Sequence, residues 1–214
     1  RDFVQAGDVI VIITYLGDFN TNRSLSYTGY TQGLGLYVNA SGDGYNSNVY
    51  IHYKIADGTE TQINQPYTNN VSSAFVAGVF SGAAAPTASW GNTVIYARSR
   101  AGHTQSGSGS TFTGLPLSGG SYSGDSYIMY ATGCSMNNAR VYTSSTMDSR
   151  LNGSYTSSAR EDDEDPSQIE VMFGNTQLET SETDFSFSAA TWGKGYASIT
   201  IGTNFALAFR MPKA

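Results

Sequence analysis

Apolar residues recur along this chain at every second position or in short unbroken runs, and no long stretch repeats at the helical period. The strongest run is Asp8-Val9-Ile10-Val11-Ile12-Ile13-Thr14-Tyr15, flanked by Gly7 and Gly17. A strand with one wet face alternates; this one is apolar at odd and even positions alike. It predicts a central strand covered on both sides, with Val9, Val11 and Ile13 facing one way and Ile10 and Ile12 the other. Further strands are predicted over residues 34–38, 49–55 and 74–80. The first of these runs into Asn39-Ala40-Ser41-Gly42-Asp43-Gly44, a cluster that tolerates positive φ. The second ends at Asp57-Gly58, a hairpin signal.

Residues 81–124 change character, with one short strand predicted over 94–97 between Gly82-Ala83-Ala84-Ala85-Pro86 and the Gly/Ser run of residues 106–110. Such a run is a linker or the tip of a long loop. A second block of strands follows, over residues 126–131, 169–173, 184–187, 196–201 and 205–209. Strands separated by turn signals, with no helix, predict an all-β fold: an antiparallel β-sandwich, jelly-roll-like.

The two blocks share features. Gly7-Asp8 opens one and Gly124-Asp125 the other, and Ala88-Ser89-Trp90-Gly91 is echoed by Ala190-Thr191-Trp192-Gly193. The expected organisation is a single domain over residues 1–214, with an internal duplication of about 1–105 and 111–214. Each half alone is short for an independent β core.

Composition narrows the function. Charged residues make up 13% of the 214 residues against 39% hydrophobic, with fifteen Tyr and ten Phe, a balance opposite to that of disordered chains. The net charge of −6 lacks the basic face that nucleic-acid binding needs, so no nucleic-acid partner is expected. No apolar run is long enough for a membrane-spanning helix, and no membrane partner is expected. No basic-then-apolar leader follows Arg1, so no signal peptide is expected. Cys134 is the single cysteine, which excludes an internal disulfide and is expected to stay reduced, as in a chain made in a host cytoplasm.

Candidate chemistry is sparse. Glu161-Asp162-Asp163-Glu164-Asp165-Pro166 reads as a solvated acidic loop; a Ca²⁺ site is the alternative, but the glycine and closing glutamate of an EF-hand loop are missing. His52 lies within a strand and reads as structural or surface, while His103 falls in a predicted loop beside Arg98 and Arg100. No G-x-S-x-G elbow, P-loop or dinucleotide fingerprint is present. No catalytic residue, cofactor or metal site is therefore assigned. What stands out is Tyr and Asn in predicted loops, the composition of recognition surfaces: Tyr27, Tyr30, Tyr45, Asn46, Tyr67, Tyr142 and Tyr155 are the candidate ligand or partner contacts.

Three tracts carry a resemblance. Ala6-Gly7-Asp8-Val9-Ile10-Val11, then Tyr53-Lys54-Ile55-Ala56-Asp57-Gly58-Thr59-Glu60, then the ending Phe209-Arg210-Met211-Pro212 resemble a pattern in virion structural proteins of tailed bacteriophages. The resemblance covers the first 80 residues best, and its motifs are turns and strands with no catalytic residue. It implies a non-enzymatic β-sandwich component of the virion, such as a head decoration, fibre or tail appendage. Its implied partners are other virion proteins or copies of itself. The alternative on the same architecture is a carbohydrate-binding adhesin that contacts host surface glycan through the Tyr/Asn loops.

Overall fold

The structure is a computed structural model that describes residues 4–18, 24–38, 46–66, 72–83, 95–106, 111–113, 117–118, 126–137, 141–146, 152–160, 168–178, 186–187, 191–194 and 198–213. Every regular element among them is a β-strand, and every strand pair is antiparallel.

The first sheet contains β1 (Val9–Asp18), β2 (Thr31–Val38), β3 (Asn46–Ile55) and β4 (Ser72–Phe80), in the order β2-β3-β1-β4. β5 (Ile95–Ser106) opens a second sheet. With β8 (Ser126–Asn137), β10 (Asn152–Arg160), β11 (Gln168–Leu178) and β14 (Ser198–Pro212) it forms the order β10-β11-β8-β14-β5. Short strands make two small sheets: β7 (Leu117–Ser118) with β12 (Ser186–Phe187), and β6 (Thr111–Thr113) with β13 (Thr191–Lys194) and β9 (Val141–Thr146).

β1 is buried on both faces, as its unbroken apolar run predicts. Val9, Val11, Ile13 and Tyr15 join Val49 and Ile51 of β3 and Val76 and Phe80 of β4 in one cluster, together with Met129 and Ala131 of β8 and Leu207 and Met211 of β14. The cluster draws on strands of both main sheets, which touch where β4 meets β10 and β11, β1 meets β8 and β11, β3 meets β14, and β2 meets β5. Full burial of each Val or Ile stabilises the fold by about 1.5–3 kcal/mol. Ile12 and Leu16 face away from the second sheet and pack with Leu25, Tyr27 and Tyr50 in a second cluster.

The outer cluster follows from the connections. β1 and β2 both pair antiparallel to β3, so they run parallel to each other with β3 between them. β3 and β4 likewise flank β1 and run parallel. Parallel strands cannot be joined by a tight turn; the chain must return across the sheet. Residues 24–30 lie on the first return and residues 56–66 on the second. Leu25, Tyr27 and Tyr30 from one and Ile63 from the other all pack on the outer face. Since β1 and β3 are antiparallel and the two returns run in opposite directions over one face, both crossovers have the same hand.

Several boundaries differ from the sequence expectation. The Asp57-Gly58 turn does not close a hairpin: β4 pairs with β1 rather than β3, and the turn instead starts the second crossover. The predicted strands over 196–201 and 205–209 are one strand, β14. Its register against β8 shifts between Ile201 and Thr203, so Gly202 is a bulge residue where the pattern breaks without the strand ending. β5 runs well past residue 97 and takes in Arg98, Arg100 and His103, which the sequence placed in a loop. It also joins the sheet otherwise built from the second block of strands. Cys134 falls inside β8, opposite Glu170 and Asn204 of its two neighbours, and the strand continues to Asn137. The acidic run 161–165 and most of the Gly/Ser run lie outside the described residues.

Candidate functional site

The described polar chemistry gathers where the first residues of the chain meet the end of β3. Gln5 to Asp8 form a tight turn in which Asp8 donates its backbone N–H to the Gln5 carbonyl at 3.1 Å and Gly7 takes φ 90°. Positive φ at the third position of such a turn favours glycine, which has no Cβ to clash. The buried Asp8 carboxylate accepts the Gln5 N–H at 2.9 Å. Gly7 then donates to the Ala56 carbonyl at 2.9 Å, and Ala56 donates back to the Asp8 carbonyl at 2.8 Å. Two of the three tracts that carry the resemblance are therefore clasped together by their backbones. The third reaches the same region of the core through Met211.

Beyond the clasp the chain curls at Asp57-Gly58, with Gly58 at φ 87°. Asp57 Oδ1 accepts the Thr59 N–H at 2.9 Å and also the Thr59 hydroxyl, which lowers the Asp57 pKa. Glu60 folds back over the turn: its two carboxylate oxygens accept the N–H groups of Asp57 and Gly58, each at 3.0 Å. Lys54 on β3 closes the arrangement with Nζ 2.7 Å from Glu60 Oε1. The bond from Lys54, followed by the backbone donors, holds the Glu60 carboxyl at about 2, while Glu60 raises the Lys54 pKa. A carboxylate that accepts several N–H bonds and faces an ammonium is stabilised in its charged form.

Beside this turn lies a cleft of about 550 Å³. Its floor is Ile10 of β1 with Phe75 and Val79 of β4; Val4 and Ile63 form apolar walls; Tyr30, Glu60, Thr61 and Gln62 supply the polar rim. Lys54 Nζ sits 5.6 Å from the centre of the Tyr30 ring. Burial raises the Tyr30 pKa, and the Lys54 charge offsets part of that rise. The cleft combines an apolar body with one aromatic edge and a few fixed polar groups, which is the make-up of a small binding site.

Under the first crossover, His52 is buried against the rings of Tyr27, at 5.0 Å, and Tyr50, at 6.1 Å. His52 Nε2 lies 3.2 Å from the Leu25 carbonyl, so the ring donates from Nε2, and the buried Nδ1 has no hydrogen-bond partner. Burial lowers the His52 pKa. His52 is thus a structural histidine of the outer cluster.

The structure separates the residues singled out as contacts. Tyr27 and Tyr30 meet edge to face at 6.0 Å, but Tyr27 is only 3% exposed and belongs to the core, whereas Tyr30 lines the cleft. Asn46 is the first residue of β3, opposite Asp18; Tyr142 lies in β9 opposite Gly193, and Tyr155 in β10 opposite Phe173. These three belong to strands rather than loops. Tyr45 and Tyr67 lie outside the described residues. The cleft residues missed by the sequence reading are Val4, Ile10, Thr61, Gln62, Ile63, Phe75 and Val79, together with Glu60, to which no role was given.

Comparison with protein-family models, curated proteins and solved structures finds no match to this chain. Among the described residues, no three His, Cys, Asp or Glu side chains gather as a metal site would require.

Proposed function

We propose that the chain is a non-enzymatic structural subunit of a phage particle, such as a head decoration, fibre or tail appendage. In this reading residues 1–214 fold as one antiparallel β-sandwich, jelly-roll-like in having two stacked sheets. The β-strands of the two main sheets share the Val9–Met211 core, which supports the single-domain reading. The observation that carries the functional reading is the fate of the resembling tracts. Gly7 and Asp8 are bonded through their backbones to Ala56, and Glu60 and Lys54 are spent on the turn beside them. Their polar groups shape a scaffold, as expected of an assembly component whose partners are other virion proteins or further copies of itself.

Immunogold labelling with antibodies to the chain tests this. Labelled intact particles, purified by density gradient, are the expected result; label confined to the soluble fraction of the lysate overturns the reading.

The cleft favours a second reading, recognition of host surface glycan. Tyr30 offers an aromatic edge, and Glu60, Thr61 and Gln62 offer hydrogen bonds around an apolar floor. Screening the purified chain against a glycan array tests it. Binding that Tyr30→Ala abolishes supports recognition in the cleft, and an array without signal removes it.

A further inference from the structure

The strap of residues 24–30 is fastened to the outer face of the first sheet by a few identifiable bonds. Tyr27 bonds the Thr14 hydroxyl of β1, and the Leu25 carbonyl accepts from His52 Nε2 of β3 at 3.2 Å. Tyr30 donates its N–H to the Tyr27 carbonyl at 3.1 Å, closing a turn with Gly29 at φ 81°. The Tyr30 ring meets that of Tyr27 at 6.0 Å, and the Tyr27 ring meets His52 at 5.0 Å. An unbroken line of ring contacts therefore runs from the buried His52 to the rim of the cleft, where Tyr30 stands. His52 is 1% exposed, and its Nδ1 has no hydrogen-bond partner. A proton added at Nδ1 creates a second N–H donor and a positive charge, both buried, with no acceptor to meet them.

Resting on the reading of the cleft as a recognition site, we propose that protonation of His52 lifts the 24–30 strap off the first sheet and carries Tyr30 away from the cleft, so that the cleft is complete near neutral pH and dismantled in acid. Beside His52 on the sheet stand Ile12 of β1 and Gln32 of β2, neither of which is charged. Along β3, Tyr50 and Lys54 flank it on the same face, and the strap brings Tyr27 with Tyr30 behind it. The second crossover brings Glu60, paired with Lys54. Burial raises the pKa of all three tyrosines, and their mutual bond holds Lys54 and Glu60 charged, so none of these groups changes state between pH 7 and pH 5. His52 does. Lifting the strap lets water reach both ring nitrogens while the Val9–Met211 cluster stays closed, so this opening disrupts less than unfolding the chain. Burial makes the closed state take up the proton less readily than the open one, and the open fraction therefore grows by up to about tenfold for each unit below pH 6.5. The turn at residues 27–30 moves Tyr30 with the strap, and the cleft loses its aromatic edge.

NMR of the isotope-labelled chain between pH 7 and pH 5 tests the gate. The sequence holds two histidines, so the His52 ring signals are readily assigned. At pH 7 the His52 ring should show nuclear Overhauser contacts to the Tyr27 ring. At pH 5 these should be lost, and return on neutralisation. The Ile63 methyls, which pack with the outer cluster and line the cleft, should shift with them, while the Val11 and Ile13 methyls hold their positions. His52→Gln keeps a donor for the Leu25 carbonyl and takes up no proton, so its Ile63 signals should stay fixed. Contacts between His52 and Tyr27 that persist at pH 5 overturn the gate. So does a collapse of the Val11 and Ile13 signals in the same step, which marks unfolding of the whole chain, and so does an Ile63 shift that His52→Gln retains. The reading of the cleft is judged separately, with the array glycan that binds best at pH 7. It should bind about tenfold more weakly at pH 5, and His52→Gln should bind it equally at both. Equal binding by the wild type at both pH values overturns the gate and leaves recognition standing. An array without signal removes the recognition reading, and the ring contacts and methyl shifts then decide the gate alone.

Discussion

Thr14 Oγ1 and Tyr27 Oη lie 2.7 Å apart, both buried, and this bond fastens the first crossover to the middle of β1. Thr14 is a polar residue on the outer face of an otherwise apolar strand, and Tyr27 is its partner from the chain passing above. Burial raises the Tyr27 pKa, and the bond to Thr14 counters part of that rise. Tyr27→Phe is expected to cost about 1–3 kcal/mol, because it leaves the Thr14 hydroxyl buried without this partner. Thr14→Val combined with Tyr27→Phe should cost less than the sum of the two single changes. Urea denaturation of the four proteins measures both effects.

Val11 is fully buried between the sheets. Val11→Asp places a carboxylate in an apolar cluster, and the loss should reach about 4 kcal/mol or more. The circular dichroism melt should shift down steeply or vanish. An unchanged melt would show that the inner face of β1 admits water.

Gly29 and Gly58 both adopt positive φ, at 81° and 87°, but their surroundings differ. A Cβ on Gly29 meets nothing within 4 Å, whereas one on Gly58 comes 3.0 Å from the backbone nitrogen of Ala6. Gly29→Ala should cost about 1–2 kcal/mol from backbone strain alone. Gly58→Ala should cost more, since the turn must also part from the Gly7–Ala56 clasp. The difference between the two denaturation midpoints is the decisive reading.

His52 gives the fold an acid sensitivity. Its native pKa lies below the ordinary 6.5, so the unfolded chain binds the proton more readily. The stability contributed by the neutral ring is complete above about pH 6.5 and falls as the pH drops towards the native value. His52→Gln keeps a donor for the Leu25 carbonyl and carries no charge, so its stability should stay flat through this window. Melting temperatures between pH 7 and pH 5 separate the two chains.

Glu60 titrates in a different range. With its carboxyl held at about 2 rather than the usual 4.5, the closed turn should persist as the pH falls through 4 and open only on approach to the lower value. The stability it contributes is present above about pH 4.5 and is lost between there and about pH 2. The NMR shifts of the Asp57 and Gly58 amides should follow that titration, and Glu60→Gln should remove it.

Much of the first sheet was legible because burial leaves a period-two or unbroken apolar mark. β1 carries the mark on both faces, and β3 and β4 carry it towards the second sheet. β10, with the sequence NGSYTSSAR, carries no such mark: it is an outer strand. The burial of Tyr27 escapes the sequence reading for a subtler reason. Leu25 and Tyr27 are buried while Ser24, Ser26 and Thr28 are exposed, so the strap alternates like a strand without pairing as one. That alternation was the available signal for placing Tyr27 in the core. The role of Glu60 was not legible, since it depends on Lys54, which comes close only once the turn has curled back.

The placement of β1 in the middle of its sheet also sets an order of events during synthesis. β1 is made before its partners β3 and β4, which end at residues 55 and 80. At about 5–20 residues per second, a strand apolar on both faces waits several seconds at the ribosome before it can be covered. Neither crossover can be laid over it until the strand on its far side exists, so the nascent chain carries a sticky, unsheltered segment throughout that interval. Slowing translation after β1 should therefore lower the soluble yield, and a ribosome-associated chaperone that grips short apolar segments should raise it.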